Sequence, residues 1–191
     1  MNNEKINEVV AVLNDGGIVI FPTDTAFGVG CRMDLEEAVK RLFTIRKRPE
    51  TQATPVLMSG KDMAKKYLSP LPETVENLMD TYWPGGLTIV YNCKTESVPK
   101  LVRGGGKNLG VRMPDHELTL EIIKNLSVPL LGPSANFHGK PTPYVFSDLD
   151  SELIKQVDYV VEGRCKTKRA STVVDCTISP WKIMRQGRVV L

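Results

Sequence analysis

The run Ile18-Val19-Ile20-Phe21-Pro22-Thr23-Asp24-Thr25-Ala26-Phe27-Gly28-Val29-Gly30 decides how the rest of the chain is read. Four consecutive apolar residues, three of them β-branched, make a short buried strand, and Pro22 ends it because proline has no N–H for the ladder. The residues from Thr23 to Gly30 then form a polar, glycine-bearing loop at the strand's C-terminal end, the position where α/β folds hold ligands. Upstream, Ile6, Val9, Val10 and Leu13 recur at helical spacing until Gly16-Gly17 stops them, which predicts an amphipathic helix over 3–14.

Downstream the alternation of helix and strand continues. Asp34 with Glu37 reads as an aspartate-led capping box before the stripe Leu35, Ala38, Val39, Leu42 and Ile45, a helix that ends in Arg46-Lys47-Arg48-Pro49. Strands are expected at 55–58, 87–91, 109–113, 128–131, 159–161, 172–175 and 183–184, with helices over 61–68, 72–81, 117–126 and 149–156. The pattern predicts an α/β fold: a single twisted sheet of mixed direction flanked by helices. The 191 residues, 41% hydrophobic and 25% charged, fit one domain over 1–191 with no additional C-terminal domain. Such a chain buries about 70% of its unfolded surface and needs no cross-links.

Cysteines at 31, 93, 165 and 176 form no C-x-x-C, and His116 and His138 are the only histidines, so neither a zinc site nor any other metal set within the protein is expected. The acidic N-terminal stretch does not read as a signal peptide, and no apolar run approaches the ~20 residues of a membrane span, so a reducing cytoplasm without membrane partners is expected. The net charge of +3 is too mild to demonstrate a nucleic-acid partner.

Several motifs fail on inspection. Gly104-Gly105-Gly106-Lys107 lacks the leading glycine of a phosphate loop, since Leu101 stands there, and Asn108 replaces its Ser or Thr. Gly28-Val29-Gly30 needs a glycine at 33 for a dinucleotide fingerprint and has Met33. Gly132-x-Ser134-x-Asn136 misses the final glycine of a nucleophile elbow.

What remains is hydroxyls, amides and isolated arginines at strand ends: Thr23, Thr25, Arg46, Arg48, Arg112, Ser134, Asn136, Thr142, Ser171, Thr172 and Arg185. The set holds no conspicuous general base or nucleophile. It suits phosphoryl or nucleotidyl transfer, where guanidinium forks and metal meet charge spread over phosphate oxygens. Each member also has a plain structural reading. Thr23-Asp24-Thr25 can be a turn, Ser134 and Asn136 can cap a helix, and Arg46-Lys47-Arg48 can complement a helix dipole.

The order and wording of these runs resemble the YrdC-like family of threonylcarbamoyl-AMP synthases. The likeness rests on 21–30, Arg46-Lys47-Arg48-Pro49, Trp83-Pro84-Gly85-Gly86-Leu87-Thr88, 111–116, Gly132-Pro133-Ser134-Ala135-Asn136 through Pro141, Ser171-Thr172-Val173-Val174-Asp175, and Arg185-Gln186-Gly187. It covers nearly the whole chain. The resemblance implies a YrdC-like sheet with an electropositive concave face and an enzyme that joins L-threonine, bicarbonate and ATP, releasing pyrophosphate. It also implies a transferase partner protein that passes the threonylcarbamoyl group to tRNA.

By the same resemblance Arg46 and Arg48 match a Lys-x-Arg pair that holds ATP phosphates and acts in catalysis, with Mg²⁺ carried mainly by those phosphates. Thr54, Gly132, Ser134, Asn136, Thr142 and Arg185 fall in the nucleotide pocket. Thr23 or Thr25, Arg112, Ser171 and Thr172 fall around threonine, with Arg112 the fork for its carboxylate. The family pattern has Lys at position 46, so Lys47 offers a second register for the pair, and Thr54 and Ser59 stand where the family has Asn and His. Two other functions fit parts of the chain. One is a module without catalysis that binds tRNA or double-stranded RNA through its basic side chains. The other is carbamoyl transfer in metalloenzyme maturation, where such domains lie inside much longer chains.

Overall fold

The computed structural model describes residues 3–191. In chain order the elements are α1 (Asn3–Asn14), β1 (Val19–Phe21), β2 (Gly28–Gly30), α2 (Glu36–Ile45), β3 (Val56–Leu57), α3 (Lys61–Tyr67), α4 (Glu73–Tyr82) and β4 (Leu87–Asn92). Then come β5 (Asn108–Arg112), α5 (Glu117–Leu126), β6 (Leu130–Leu131), a short 3-10 turn, α6 (Ser151–Ile154), β7 (Tyr159–Val160), β8 (Thr172–Asp175) and β9 (Lys182–Arg185). Directions are mixed, as expected: β1 pairs antiparallel with β2 and parallel with β7, and β4 pairs antiparallel with β5 and parallel with β8.

The expected single sheet is drawn as two ladders, β2-β1-β7 and β6-β3-β5-β4-β8-β9. They are nevertheless stitched together. Stretch 27–33 runs against 129–135 through the bonds Ala135 N–Phe27 O (2.8 Å), Val29 N–Pro133 O (3.0 Å), Leu131 N–Cys31 O (2.9 Å) and Met33 N–Pro129 O (3.0 Å). Gly30 is required at this seam: a Cβ there would lie 1.8 Å from the Leu131 carbonyl oxygen. The expected loop over 23–30 is accordingly corrected at its end, where Gly28-Val29-Gly30 is strand β2, because its backbone groups find partners in both β1 and the 129–135 stretch.

The helices bury the stripes that the sequence marks. Val9 and Leu13 of α1, Ala38, Val39, Leu42 and Ile45 of α2, and Ile122, Ile123 and Leu126 of α5 belong to one core with the strand residues Ile20, Phe21, Leu87, Ile89 and Val111. The capping box at Asp34 does not form. Helix α2 begins at Glu36, the N-cap position is Leu35, which makes no side-chain capping bond, and the Asp34 carboxylate instead accepts from Arg32 Nε (3.0 Å) and Nη2 (2.8 Å). A two-pronged guanidinium bond is stronger than a single backbone N–H. All four cysteines are free, and burial pushes the Cys31 thiol up to about 12 and Cys176 to about 11. Among the described residues, no helix is long and apolar enough to cross a membrane.

The seam at Gly30 yields a stability prediction. Gly30→Ala forces a methyl group into the Leu131 carbonyl, and overpacking of this kind costs about 1–3 kcal/mol. Tm should fall by roughly 2–4 °C per kcal/mol for a chain of this size. Gly60→Ser, with open space around its Cα, should leave Tm unchanged in the same thermal scan.

Candidate active site

A cleft of about 580 Å³ opens where the strand-end loops meet, within the range of small-molecule sites. Eleven of the thirteen residues expected at the site line it: Thr23, Thr25, Arg46, Arg48, Thr54, Arg112, Gly132, Ser134, Thr142, Ser171 and Arg185. Asn136 and Thr172 are not on the wall.

Helix α2 delivers the basic pair. Arg46 ends it in the helical region, Lys47 turns left-handed at φ 52°, and Arg48 follows. That single reversal puts Arg46 and Arg48 on the cleft while the Lys47 ammonium sits over the Phe137 ring, 5.2 Å from its centre. Of the two registers left open by the sequence, 46 and 48 is the one whose side chains both line the cleft. Arg46 is 3% exposed; its Nε donates to the Asn136 carbonyl (3.1 Å), and its Nη1 is buried with no protein partner. Burial, with Arg48 alongside, pushes its guanidinium down to about 10, which still leaves it charged at neutral pH. Arg48 is held by the Gln52 carbonyl (3.1 Å) and the Ala53 carbonyl.

The 132–142 segment adjoins Arg46 and contributes Gly132, Pro133, Ser134 and Thr142 to the cleft wall. Ser134 donates to Asn136 Oδ1, and Asn136 Nδ2 donates to the Phe137 (3.0 Å) and Lys140 (2.6 Å) carbonyls. Asn136 thus spends its side chain shaping the loop, while its carbonyl aims Arg46. Thr54 Oγ1 is a second buried polar atom without a protein partner on a residue that lines the cleft. Buried polar groups are almost always bonded, so such atoms on a cleft mark places where a ligand completes the bonding.

At the other end, Thr23 makes the turn that its bland reading predicts: its hydroxyl accepts from the Thr25 (3.1 Å) and Ala26 (3.2 Å) amides. It lines the cleft as well, so the turn and the site coexist. Thr25 Oγ1 accepts from Arg112 Nη1 at 2.7 Å. The Arg112 guanidinium is buried and also donates from Nε to the Gly85 carbonyl (2.9 Å) and from Nη2 to Asp24. The fork expected to stand free for a carboxylate is already anchored at three of its five N–H groups.

Ser171 faces the cleft from the start of β8, its hydroxyl 2.9 Å from that of Thr88. Arg185 clamps it, with Nε and Nη2 donating to the Ser171 carbonyl (3.0 and 2.9 Å) and Nη2 to its hydroxyl (3.0 Å). Thr172 points away, because alternation along β8 turns successive side chains to opposite faces. Its hydroxyl donates to the Val189 carbonyl and accepts from the Gly187 and Val189 amides, tying the tail at 187–189 to the sheet.

The reading from sequence missed Arg103, Gly104, Gly106, Lys107 and Asn108, which border the cleft even though they form no phosphate loop of the Walker type. A usable signal was present. Asn108, Gly110 and Arg112 alternate along β5 and all three line the cleft, as a period of two requires. The wall carries six cationic side chains (Arg46, Arg48, Arg103, Lys107, Arg112 and Arg185) and no Asp or Glu. Among the described residues, no three of His, Cys, Asp or Glu come together in a way that could hold a metal ion.

A family model described as "Telomere recombination", which spans the Sua5, YciO and YrdC proteins, matches residues 11–187. The threonylcarbamoyl-AMP synthase of Bacillus subtilis strain 168 is 32% identical over 98% of this chain and 55% of its own length. The crystal structure of Pyrococcus abyssi Sua5 complexed with L-threonine superposes with a TM-score of 0.93 at 31% identity, covering 98% of this chain and 55% of that one. The crystal structure of Escherichia coli YciO gives 0.87 at 26% identity, covering 97% of this chain and 90% of that one. The chain spans about half the length of the first two relatives. With a match running through nearly every element that builds the cleft, the chain belongs to the Sua5/YciO/YrdC family.

Proposed function

We propose that this chain is an L-threonylcarbamoyladenylate synthase, a nucleotidyltransferase that joins L-threonine, bicarbonate and ATP. The threonine ammonium group and bicarbonate condense to a carbamate with loss of water and a proton. A carbamate oxygen then attacks the α-phosphorus of ATP, and the bond to the β-phosphate breaks to release pyrophosphate. The observation that carries this reading is the buried, partner-less Arg46 Nη1 on a wall of six cations and no carboxylate. A polyphosphate is the ligand whose charge such a wall matches. The names of its relatives, and the L-threonine in one of them, support the choice of substrates.

In this reading Arg46 and Arg48 hold the phosphates and meet the charge that develops on the leaving group. Ser134, Gly132, Thr54, Thr142 and Arg185 bound the nucleotide. Thr25, Thr23, Ser171 and Arg112 receive threonine, with the two N–H groups Arg112 has left directed at its carboxylate. Asn136 and Thr172 act through the loops they brace rather than by touching substrate. Mg²⁺ enters with ATP, bound by phosphate oxygens and water, because the wall offers it no carboxylate. The product is a reactive mixed anhydride, consumed by a transferase partner that passes the group to tRNA.

Pyrophosphate release is expected only when threonine, bicarbonate, ATP and Mg²⁺ are all present; a chain that only binds RNA would release none. Arg48→Ala should lower turnover by on the order of 3 kcal/mol while leaving threonine affinity unchanged, measured by steady-state kinetics beside calorimetry.

Arg46 allows a sharper test, because a buried charge without an acid partner contributes little to folding. Arg46→Met should leave the stability of the free protein within about 1 kcal/mol of wild type in a thermal scan. Pyrophosphate at a hundred times its Kd should stabilise the wild type by about 2.7 kcal/mol in the same scan, and Arg46→Met should lose that gain. Equal stabilisation of both proteins would remove Arg46 from the phosphate site.

Arg112→Lys should weaken threonine binding roughly ten- to hundredfold, since an ammonium cannot reproduce three anchors and a fork. Nucleotide affinity should be unchanged by calorimetry.

A further inference from the structure

Asp24 is fully buried and does not line the cleft, yet two distant segments, 112–115 and the one ending at Thr167, converge on it. Its Oδ1 accepts from Arg112 Nη2 and from the Asp115 amide (3.1 Å). Its carbonyl accepts from the Thr167 amide (3.0 Å) and hydroxyl (3.1 Å). The segment before Thr167 is fastened by a second bond, Lys166 to Asp115 (2.7 Å).

The chemistry of Arg112 depends on this residue in two ways. First, orientation: the Gly85 carbonyl and the Thr25 hydroxyl each hold one nitrogen, and Asp24 holds the third, so the guanidinium plane cannot swing about its long side chain. Second, charge: burial and the nearby Arg185 and Arg188 disfavour protonated Arg112, and Asp24 is the anion that offsets them. A buried pair of this kind adds little to folding compared with apolar residues of the same volume, so stability alone is a weak reason for its presence.

We infer that Asp24 is a positioning residue for the amino-acid half of the site, setting threonine affinity through Arg112 without touching substrate. The inference rests on the reading above that Arg112 receives the threonine carboxylate. Removing the carboxylate should therefore damage one ligand and spare the other, which a general loss of structure would not do.

The test is calorimetric titration of the purified chain with L-threonine and, separately, with MgATP, for wild type, Asp24→Asn, Asp24→Glu, Arg112→Lys and the Asp24→Asn/Arg112→Lys double variant. Asp24→Asn should bind threonine ten- to hundredfold more weakly and MgATP within about twofold of wild type. Asp24→Glu keeps the charge but displaces the contact, and should lie between Asp24→Asn and wild type. The double variant should be no worse for threonine than the poorer single one, because both changes act on the same contact. Asp34→Asn, which breaks an exposed ion pair off the cleft wall, should match wild type throughout.

Threonine affinity in Asp24→Asn equal to wild type, additive losses in the double variant, or equal losses of threonine and MgATP would each overturn the inference. If Asp24→Asn does not fold, Asp24→Glu carries the test: a several-fold loss for threonine alone supports the inference, and wild-type affinity overturns it. A wild-type chain that binds no threonine would bring down the reading of the site, and this inference with it.

Discussion

The antiparallel contact between stretch 27–33 and stretch 129–135 is the constraint on which the site depends. It requires two backbones to approach with no side chain between them, and Gly30 supplies the gap against the Leu131 carbonyl. The same contact pairs Gly28 with Ser134 and so sets the loop after β1 beside the loop after β6. Thr25, from the first loop, and Ser134, from the second, thereby become walls of one cleft. Without this seam the chain would hold two separate ladders and no common site.

The arginines of the cleft are held in a way that distinguishes them from those of the surface. Arg46, Arg48, Arg103 and Arg185 are anchored by the carbonyls of Asn136, of Gln52 and Ala53, of Val98 and Gly106, and of Ser171. A carbonyl fixes the geometry of a guanidinium and leaves its charge uncancelled, so the wall remains available to an anion of several charges. On the surface, Arg32 and Arg41 are instead matched by Asp34 and Asp158. Arg112 is the exception within the site, since Asp24 stands behind it. The cleft wall therefore carries several guanidinium groups of uncancelled charge together with one, Arg112, that is locally neutralised.

Much of this was legible in the amino-acid sequence, and the reason is locality. Helical stripes such as Ala38, Val39, Leu42 and Ile45, and strands such as Leu87 to Tyr91, are encoded by spacing within a few residues. The strand-end loops announced the cleft because polar residues and glycines interrupt apolar runs there. What was misjudged involved competition between partners. Asp34 could cap α2 or bind Arg32, and both options look equally good along the chain; the fold favours the two-pronged ion pair. Gly28 to Gly30 read as loop because the backbones that pair with it come from elsewhere in the fold.

Spacing alone thus determined the α/β alternation, the mixed order of elements, and the hydroxyls, amides and arginines at the strand ends. Only the tertiary structure decided which of them share a surface and what their side chains are free to do. Thr172 is turned away by the pleat of β8, and Asn136 is used up within its own loop, while Arg103, Lys107 and Asn108 are brought onto the wall from a segment with no recognisable motif. Asp24 meets Arg112 across 88 positions. A hydrogen bond spanning that distance leaves no periodic mark in the sequence, because its two ends are placed by separate strands whose only common reference is the folded core.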